Sequence, residues 1–123
     1  MDDHLSELDK ANGFTYVKMC EEFLYWSLLH ERWFIDKNWE NLKSQFFGDI
    51  PKFMRGFVSN MIRKNQKKSS VGHGMGRHSD QEIHEFGAKA IHAISVFLGN
   101  KDFFLGDKIS SFDITLHLSL IHI

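Results

Sequence analysis

The spacing of apolar residues along the chain predicts a protein built from helices. Between residues 50 and 62 they recur at intervals of three and four, the pattern of a helix with one buried face. The residues of this stripe are Ile50, Phe53, Met54, Phe57, Val58, Met61 and Ile62. Pro51 suits the first helical position, where its missing N–H is not needed. We therefore predict a helix that begins at Pro51 and packs through this stripe.

A second stripe of the same kind extends from residue 83 to residue 98. It begins with a capping box, in which Ser79 is the N-cap and Glu82 lies at the third helical position. Gly99 and Asn100 follow it and supply a stop signal. The stripe consists of Ile83, Phe86, Gly87, Ala90, Ile91, Ile94, Phe97 and Leu98. This is a second predicted helix with a buried face.

The remaining segments complete a predicted all-α fold. The segment from Asp9 to Phe34 is apolar on most faces, which is typical of a central helix contacted on several sides. The segment from Asp36 to Phe47 predicts a further helical turn or two, and Ser69 to His78 reads as a glycine-rich connection between helices. No run of alternating apolar and polar residues predicts a strand anywhere in the chain.

The most informative motif lies near the C-terminus, in residues 103–114, where the sequence is FFLGDKISSFDI. Leu-Gly-Asp predicts a turn, after which Ser110 is the expected N-cap of a new helix and Asp113 lies three residues later. Ile109 before the cap and Ile114 within the helix have the spacing of a hydrophobic staple. A carboxylate in the first turn also complements the helix dipole.

Composition narrows the class of protein. The 123 residues include 12 Phe and 3 Trp, and 42% of them are hydrophobic, so a packed core is expected. The net charge of −1 gives no reason to expect nucleic acid as a partner. Cys20 is the single cysteine and suits a reducing, cytoplasmic location. Because no apolar run approaches the ~20 residues of a membrane span, we expect a soluble protein.

The motif at residues 103–114 resembles the N-capping box and hydrophobic staple of the glutathione S-transferase superfamily. Other phrases resemble the failed-axon-connections and metaxin-like branch of that superfamily, in a bacterial type of homologue. They are Tyr25-Trp26, Arg32-Trp33 and the run from Gly74 to Ser79. The resemblance covers residues from about Phe14 to His117. It implies an incomplete helical bundle of the glutathione S-transferase C-terminal domain type, and glutathione as the cofactor of the intact protein.

The resemblance also predicts that both ends differ from a whole member of the superfamily. Members carry a thioredoxin-like domain before the helical one, and this domain binds most of the glutathione. We therefore expect residues 1–117 to be the helical domain of a longer protein. Residues 118–123, LSLIHI, match the translation of a transposase sequencing adapter and are expected to be non-native.

Candidate site residues follow from the same resemblance. The superfamily's thiol-activating residue lies in the thioredoxin-like half, so no catalytic residue is assigned here, and Cys20 is expected to be a core residue. Trp26, His30 and Trp33 share one face of the central helix and are the candidate substrate-binding residues. Packing in the core is the more common use of such a face.

Three further features suggest binding only weakly. Arg77 lies beside the start of a helix and is a candidate contact for an anion. A tight corner between helices, with Arg77 and His78 held at the helix start, explains the glycines of this connection better. Eight histidines are present, but their spacing fits no usual zinc site, so no metal is expected. The basic run from Arg63 to Lys68 is interpreted as the solvated end of a helix.

Two functions remain open on the sequence alone. The first is a glutathione-dependent transferase, in which the helical half forms the side of the cleft that binds a small apolar electrophile. The second is a non-enzymatic, metaxin-like module that binds an unknown protein partner. A homodimer is a possible state of the intact protein, and the isolated chain is expected to be inactive.

Overall fold

The computed structural model describes the backbone of residues 1–121 and the side chains of residues 1–119. Within this range the fold is all-α, as predicted, and Phe103 and Gly106 form an isolated bridge across a turn. The helices are α1 (Glu7–Met19), a π-helical segment (Cys20–Leu24), α2 (Tyr25–Trp33), α3 (Asp36–Phe46), α4 (Lys52–His73), a 3-10 turn (Met75–Arg77), α5 (Asp80–Leu98) and α6 (Ser111–Ile121).

The chain divides into two compact units. The first contains residues 1–25 and the chain from Glu85 onward, and the second contains Trp26–His84. None of the helices in residues 1–121 combines the length and apolar character that crossing a membrane requires. The expected non-native segment 118–123 lies partly outside the described residues, since residues 122 and 123 are not among them.

The first unit is held together by close contact between α1 and α6 and by a cluster of aromatic rings. Gly13 of α1 lies against the ring of Phe112, and a Cβ atom at this glycine would stand 2.6 Å from a ring carbon. Tyr16 packs on Phe97 and on Phe104, with ring centroids 4.5 Å and 5.1 Å apart. Glycine at residue 13 is therefore what allows the two helices to approach so closely.

The second unit has its own core on α3. Trp39, Leu42 and Phe47 are buried together. The partly buried residues that pack against them are Trp33, Ile50, Val58 and Ile62. A buried hydrogen bond from the Ser27 hydroxyl to the Ile83 carbonyl, 2.8 Å long, adds a polar contact within this unit. Because both residues are almost fully buried, neither can exchange this bond for one with water.

The predicted ends of α4 are wrong at both sides. Pro51 is the N-cap, with an extended ψ of 139°, and the helix begins one residue later. At the other end the helix continues through the first half of the expected connection and ends at His73. Gly74 then adopts a φ of 115°, a left-handed conformation that favours glycine. Gly72 therefore lies within α4, and the helix ends only where Gly74 adopts the left-handed conformation.

The stripe predicted to be the buried face of α4 is mostly exposed. Phe53 is 85% exposed and Phe57 is 73% exposed, and Met54 and Met61 are nearly half exposed. The helix packs instead through Val58 and a few partly buried neighbours. The periodicity identified the apolar face correctly, but it contains no information about what covers that face.

The second stripe, on α5, agrees better with its prediction. Ile83 and Ala90 are buried, whereas Ile91 is half exposed. Both halves of the predicted capping box are present, since the Glu82 amide donates to Ser79 Oγ and the Ser79 amide donates to Glu82 Oε1, each at 3.1 Å. The capping box therefore fixes the beginning of α5 at Asp80.

The predicted central helix is present as an unbroken helical stretch over residues 7–33, with two departures from expectation. Its middle turn, Cys20–Leu24, is π-helical, and both of these residues are fully buried. Phe14 is 61% exposed, with the Lys18 ammonium 5.8 Å from its ring centroid. The stretch from residue 36 is also longer than predicted, an 11-residue helix rather than a turn or two.

Candidate functional site

The three predicted substrate-binding residues all lie on α2, and each has a packing partner. Trp26 stacks on the His73 ring, with centroids 4.4 Å apart and planes inclined by 19°. Trp33 packs against Trp39, with centroids 5.4 Å apart. The carbonyl of Trp33 also accepts a 2.7 Å hydrogen bond from Arg63 Nε. Both tryptophans are partly buried, so each leaves some ring surface accessible.

His30, the third of these residues, is only 1% exposed. Its Nε2 lies 2.6 Å from Asp80 Oδ1, so Nε2 carries the proton that the carboxylate accepts. Asp80 is the first residue of α5, where a carboxylate also complements the helix dipole. Nδ1 of His30 is buried and has no hydrogen-bond partner within residues 1–121. The ring therefore links α2 to the start of α5, and its primary contact is structural.

A cleft of about 750 Å³ lies within the second unit. Its lining is one aromatic ring from the end of α2 and a strip of α4, namely Phe34, Asn60, Arg63, Lys64, Asn65, Lys67, Lys68 and Val71. The edge of Phe34 meets the His30 ring, with centroids 5.4 Å apart. His30 thus packs against the aromatic residue that lines the cleft.

The cleft is strongly cationic, but its cations are not equivalent. Arg63 is held in place, because it donates to Asp36 Oδ1 at 2.9 Å and its guanidinium lies 5.1 Å from the centroid of Trp39. The ammonium of Lys67 lies 4.9 Å from the centroid of Phe34, within cation–π distance. Lys64 and Lys68 form no ion pair within the described part of the chain.

Sequence reasoning missed this cleft for an identifiable reason. The basic run was interpreted as the solvated end of a helix, but α4 continues for five residues beyond Lys68. The run is therefore internal to the helix, and five of its six side chains line the cleft, although its three lysines are exposed. The signal was present in the sequence, since residues 60, 63, 64, 67, 68 and 71 have the three-and-four spacing of one helical face.

The C-terminal capping motif has the geometry of a tightly bonded helix start. Ser110, fully buried, is the N-cap of α6, and its amide and hydroxyl donate to Asp113 Oδ2 at 2.9 Å and 3.1 Å. The other carboxylate oxygen accepts from the Phe104 amide at 2.7 Å. Ile109 and Ile114 are 47% and 43% exposed, and their staple remains a prediction.

A second carboxylate at the same helix start was not predicted. Asp2 accepts from the Ser111 amide at 2.8 Å and from its hydroxyl. These two hydrogen bonds from Ser111 hold the pKa of Asp2 below its ordinary value. The contact joins residues 109 positions apart, so no local pattern could have indicated it.

Arg77 belongs to a corner between helices. Its Nε donates to the Val71 carbonyl at 3.0 Å, which satisfies one of the free carbonyls at the end of α4. His78 instead contacts the start of α5, with Nδ1 3.5 Å from Glu82 Oε2. We expected both side chains at the start of α5, and for Arg77 this was wrong. Its role as an anion contact remains a prediction.

The remaining chemistry-bearing residues are accounted for by packing. Cys20 is fully buried, and its burial raises the pKa of the thiol, with a smaller contribution from the Glu21 carboxylate. A raised pKa lowers the thiolate fraction on which cysteine reactivity depends. Across the residues that the structure describes, no group of three or more His, Cys, Asp or Glu side chains is arranged to hold a metal ion.

Comparison with known proteins agrees with the resemblance seen in the sequence. Residues 87–122 match the family model described as "Glutathione S-transferase, C-terminal domain". The chain is also 35% identical, over 132 aligned positions, to the isoprene-epoxide–glutathione S-transferase of Rhodococcus sp. (strain AD45). That alignment covers all of this chain and 52% of the relative, so the chain spans about half the relative's length.

No solved structure matches the chain. The family match covers α6 and most of α5, and therefore includes the Ser110/Asp113 capping motif. The alignment to the Rhodococcus protein extends the similarity over the rest of the chain. Over α6 and most of α5 the chain is therefore similar to the C-terminal helical domain of glutathione S-transferases, and its all-α fold agrees with that similarity.

Proposed function

We propose that this chain is the helical domain of a glutathione-dependent transferase and forms the co-substrate side of its cleft. The observation that carries the proposal is the 35% identity along the entire chain to a protein named as an isoprene-epoxide–glutathione S-transferase. The relative's name supplies both halves of the proposed reaction class: glutathione as the thiol and a small electrophile as its acceptor.

In this proposal glutathione is bound and activated mainly by a thioredoxin-like domain outside this chain. The chain contributes the partly exposed rings of Trp26 and Trp33, with His30 fixing the position of α2, as a wall for a small apolar electrophile. Its one thiol, Cys20, is buried with a raised pKa and suits neither nucleophilic attack nor thiol exchange. We therefore propose that the 123-residue chain alone is inactive, and that it is cytoplasmic, where a free thiol persists.

The test is a chimera in which this chain replaces the aligned segment of the Rhodococcus protein. The chimera is assayed for conjugation of glutathione to isoprene epoxide and to a standard aryl halide, and the 123-residue chain alone serves as the control. We expect conjugation by the chimera and none by the chain. A chimera with native helical content that binds immobilised glutathione but conjugates neither electrophile contradicts the proposal.

A second function is favoured by one specific observation. In a metaxin-like or failed-axon-connections-like protein the fold serves protein contacts, and α4 exposes a run of large apolar side chains. They are Phe53, Met54, Phe57 and Met61, with Phe46 of α3 exposed nearby in sequence. Exposed apolar patches of this kind often mark protein interaction sites. In this alternative the partner is a protein, which includes a second copy of the chain.

Sedimentation of the chain over a wide range of concentrations separates the homodimer from the monomer. Self-association that is abolished by Phe53→Ser with Phe57→Ser, in a protein of unchanged helical content, supports an interaction surface on α4. A matched variant is Leu8→Ser, since Leu8 is 71% exposed on α1. If all three proteins sediment as monomers, the self-contact is excluded.

A further inference from the structure

One face of α4 carries a strip of cations that the transferase proposal does not use. Asn60, Arg63, Lys64, Lys67, Lys68 and Val71 recur at intervals of three and four and line the cleft of about 750 Å³. At about 1.5 Å per residue the strip is roughly 17 Å long. The strip is therefore long enough for a small organic molecule but too short for an extended polymer.

Three of these cations lack a counter-charge. Arg63 is neutralised by Asp36, at 2.9 Å. Lys64, Lys67 and Lys68 form no ion pair in the part of the chain that the structure describes. Because side chains three and four residues apart are neighbours on a helix surface, the three ammonium groups repel one another. An anion placed among them removes this repulsion, and a doubly charged anion removes more of it than a singly charged one.

The cleft also has apolar lining residues. The Phe34 ring packs edge to face with His30, with centroids 5.4 Å apart, and the Lys67 ammonium lies 4.9 Å from the Phe34 centroid. Val71 of α4 is the other apolar lining residue. Lysine side chains also contribute apolar stems below their charged ends. The cleft thus combines apolar lining suited to a hydrocarbon or aromatic body with a row of cations suited to concentrated negative charge.

We propose that this cleft binds a phosphate monoester with an apolar, preferably aromatic, body. The phosphate is placed among Lys64, Lys67 and Lys68, and the body lies against Phe34. A phosphate monoester fits the charge count because it carries about two negative charges at neutral pH, whereas a carboxylate or sulfonate carries one. Lysine ammonium groups bind phosphate as point charges, without the fork geometry that arginine provides. This site goes beyond the proposed transferase and does not depend on it.

The test compares three probes by isothermal titration calorimetry on the 123-residue chain at neutral pH in a phosphate-free buffer. Naphthyl phosphate has the dianion and the aromatic body, naphthalene sulfonate has the same body with one charge, and inorganic phosphate has the charge without the body. We expect naphthyl phosphate to bind about fivefold more tightly than either of the other two, a difference of the size that one exposed charge contact provides.

Charge-removing variants locate the site. Lys64→Gln and Lys68→Gln keep the helix and each weaken naphthyl phosphate binding by about fivefold. Lys52→Gln makes the same change on the same helix, outside the cleft, and leaves binding unchanged. Circular dichroism confirms equal helical content in all variants.

Three results overturn the proposal. One is equal affinity for naphthyl phosphate and naphthalene sulfonate, which means that the second negative charge of the phosphate contributes nothing to binding. Another is equal loss of affinity in Lys52→Gln, which means that the net charge of the protein rather than the cleft attracts the probe. The third is absence of measurable naphthyl phosphate binding by the folded chain. None of these results bears on conjugation by the chimera, so the two proposals fail separately.

Discussion

Replacing Asp113 by alanine tests how the helical domain is held together at its C-terminal motif. The carboxylate accepts from the Ser110 amide, the Ser110 hydroxyl and the Phe104 amide, at 2.9, 3.1 and 2.7 Å. Loss of a helix cap costs about 1 kcal/mol. The amide of buried Phe104 also loses its acceptor, which costs a further ~1–3 kcal/mol. The expected total is about 2–4 kcal/mol, because the two losses occur in different backbone groups.

The capping box of α1 provides a matched control. Asp9 also lies three residues after a serine N-cap and accepts from the Ser6 amide, at 3.2 Å, but this contact is exposed to solvent and involves no distant amide. Asp9→Ala should therefore cost only about 1 kcal/mol. Asp113→Ala should cost at least twice as much, which lowers the melting temperature of a domain of this size by about 8–16 °C.

Thermal melts followed by circular dichroism, together with urea titrations, measure both variants against the wild type. If Asp113→Ala and Asp9→Ala lower the free energy of unfolding equally, the bond to the Phe104 amide contributes nothing and the reasoning is refuted. A change in the slope of the urea transition indicates instead that α6 is already partly unfolded in the variant.

Further predictions concern three glycines and the stability of the protein in acid. Gly13→Ala should destabilise the protein by about 1–3 kcal/mol, because its Cβ would stand 2.6 Å from the Phe112 ring. A Cβ at Gly72 meets no neighbouring atom, so Gly72→Ala should stabilise the protein by roughly 0.5–1 kcal/mol. Gly74→Ala must adopt a φ of 115° and should cost about 1–2 kcal/mol, and equal stability of the Gly72 and Gly74 variants in urea would contradict this. The pKa of the Glu82 carboxyl is held below its ordinary value of 4.5, chiefly by the hydrogen bond from the Ser79 amide. The ionised carboxylate therefore stabilises the fold fully above pH 4.5, and this stabilisation is lost as the pH falls through the lowered pKa. Melting temperatures recorded between neutral pH and about pH 3 should therefore fall less in Glu82→Gln than in the wild type, and identical pH profiles would disprove the assignment.

The sequence by itself determined the fold class and the positions where α5 and α6 begin. The capping box at Ser79 and Glu82 and the cap formed by Ser110 and Asp113 are local, because the side chain and the amide that it bonds are three residues apart. The apolar periodicity likewise depends only on the helical repeat. The same short-range phrases carry the superfamily resemblance, which is why the amino-acid sequence alone is enough to recognise it.

The tertiary structure decided which apolar faces are covered. The stripe on α4 and the stripe on α5 look equivalent in sequence, yet Phe53 is 85% exposed whereas Ile83 is fully buried. Burial depends on which helix packs against which face, and that is a property of pairs of segments distant in sequence. No periodicity within one helix contains this information.

The candidate site divides in the same way. Spacing placed Trp26, His30 and Trp33 on one helical face, but it could not supply the Asp80 carboxylate that fixes His30, 50 residues away. It also could not show that basic residues of α4 line a cleft together with Phe34. The residues within a few turns decide which face of a helix a residue lies on, so that face could be predicted from the sequence. A cleft exists only where separate segments meet, so its presence could be seen only in the folded chain.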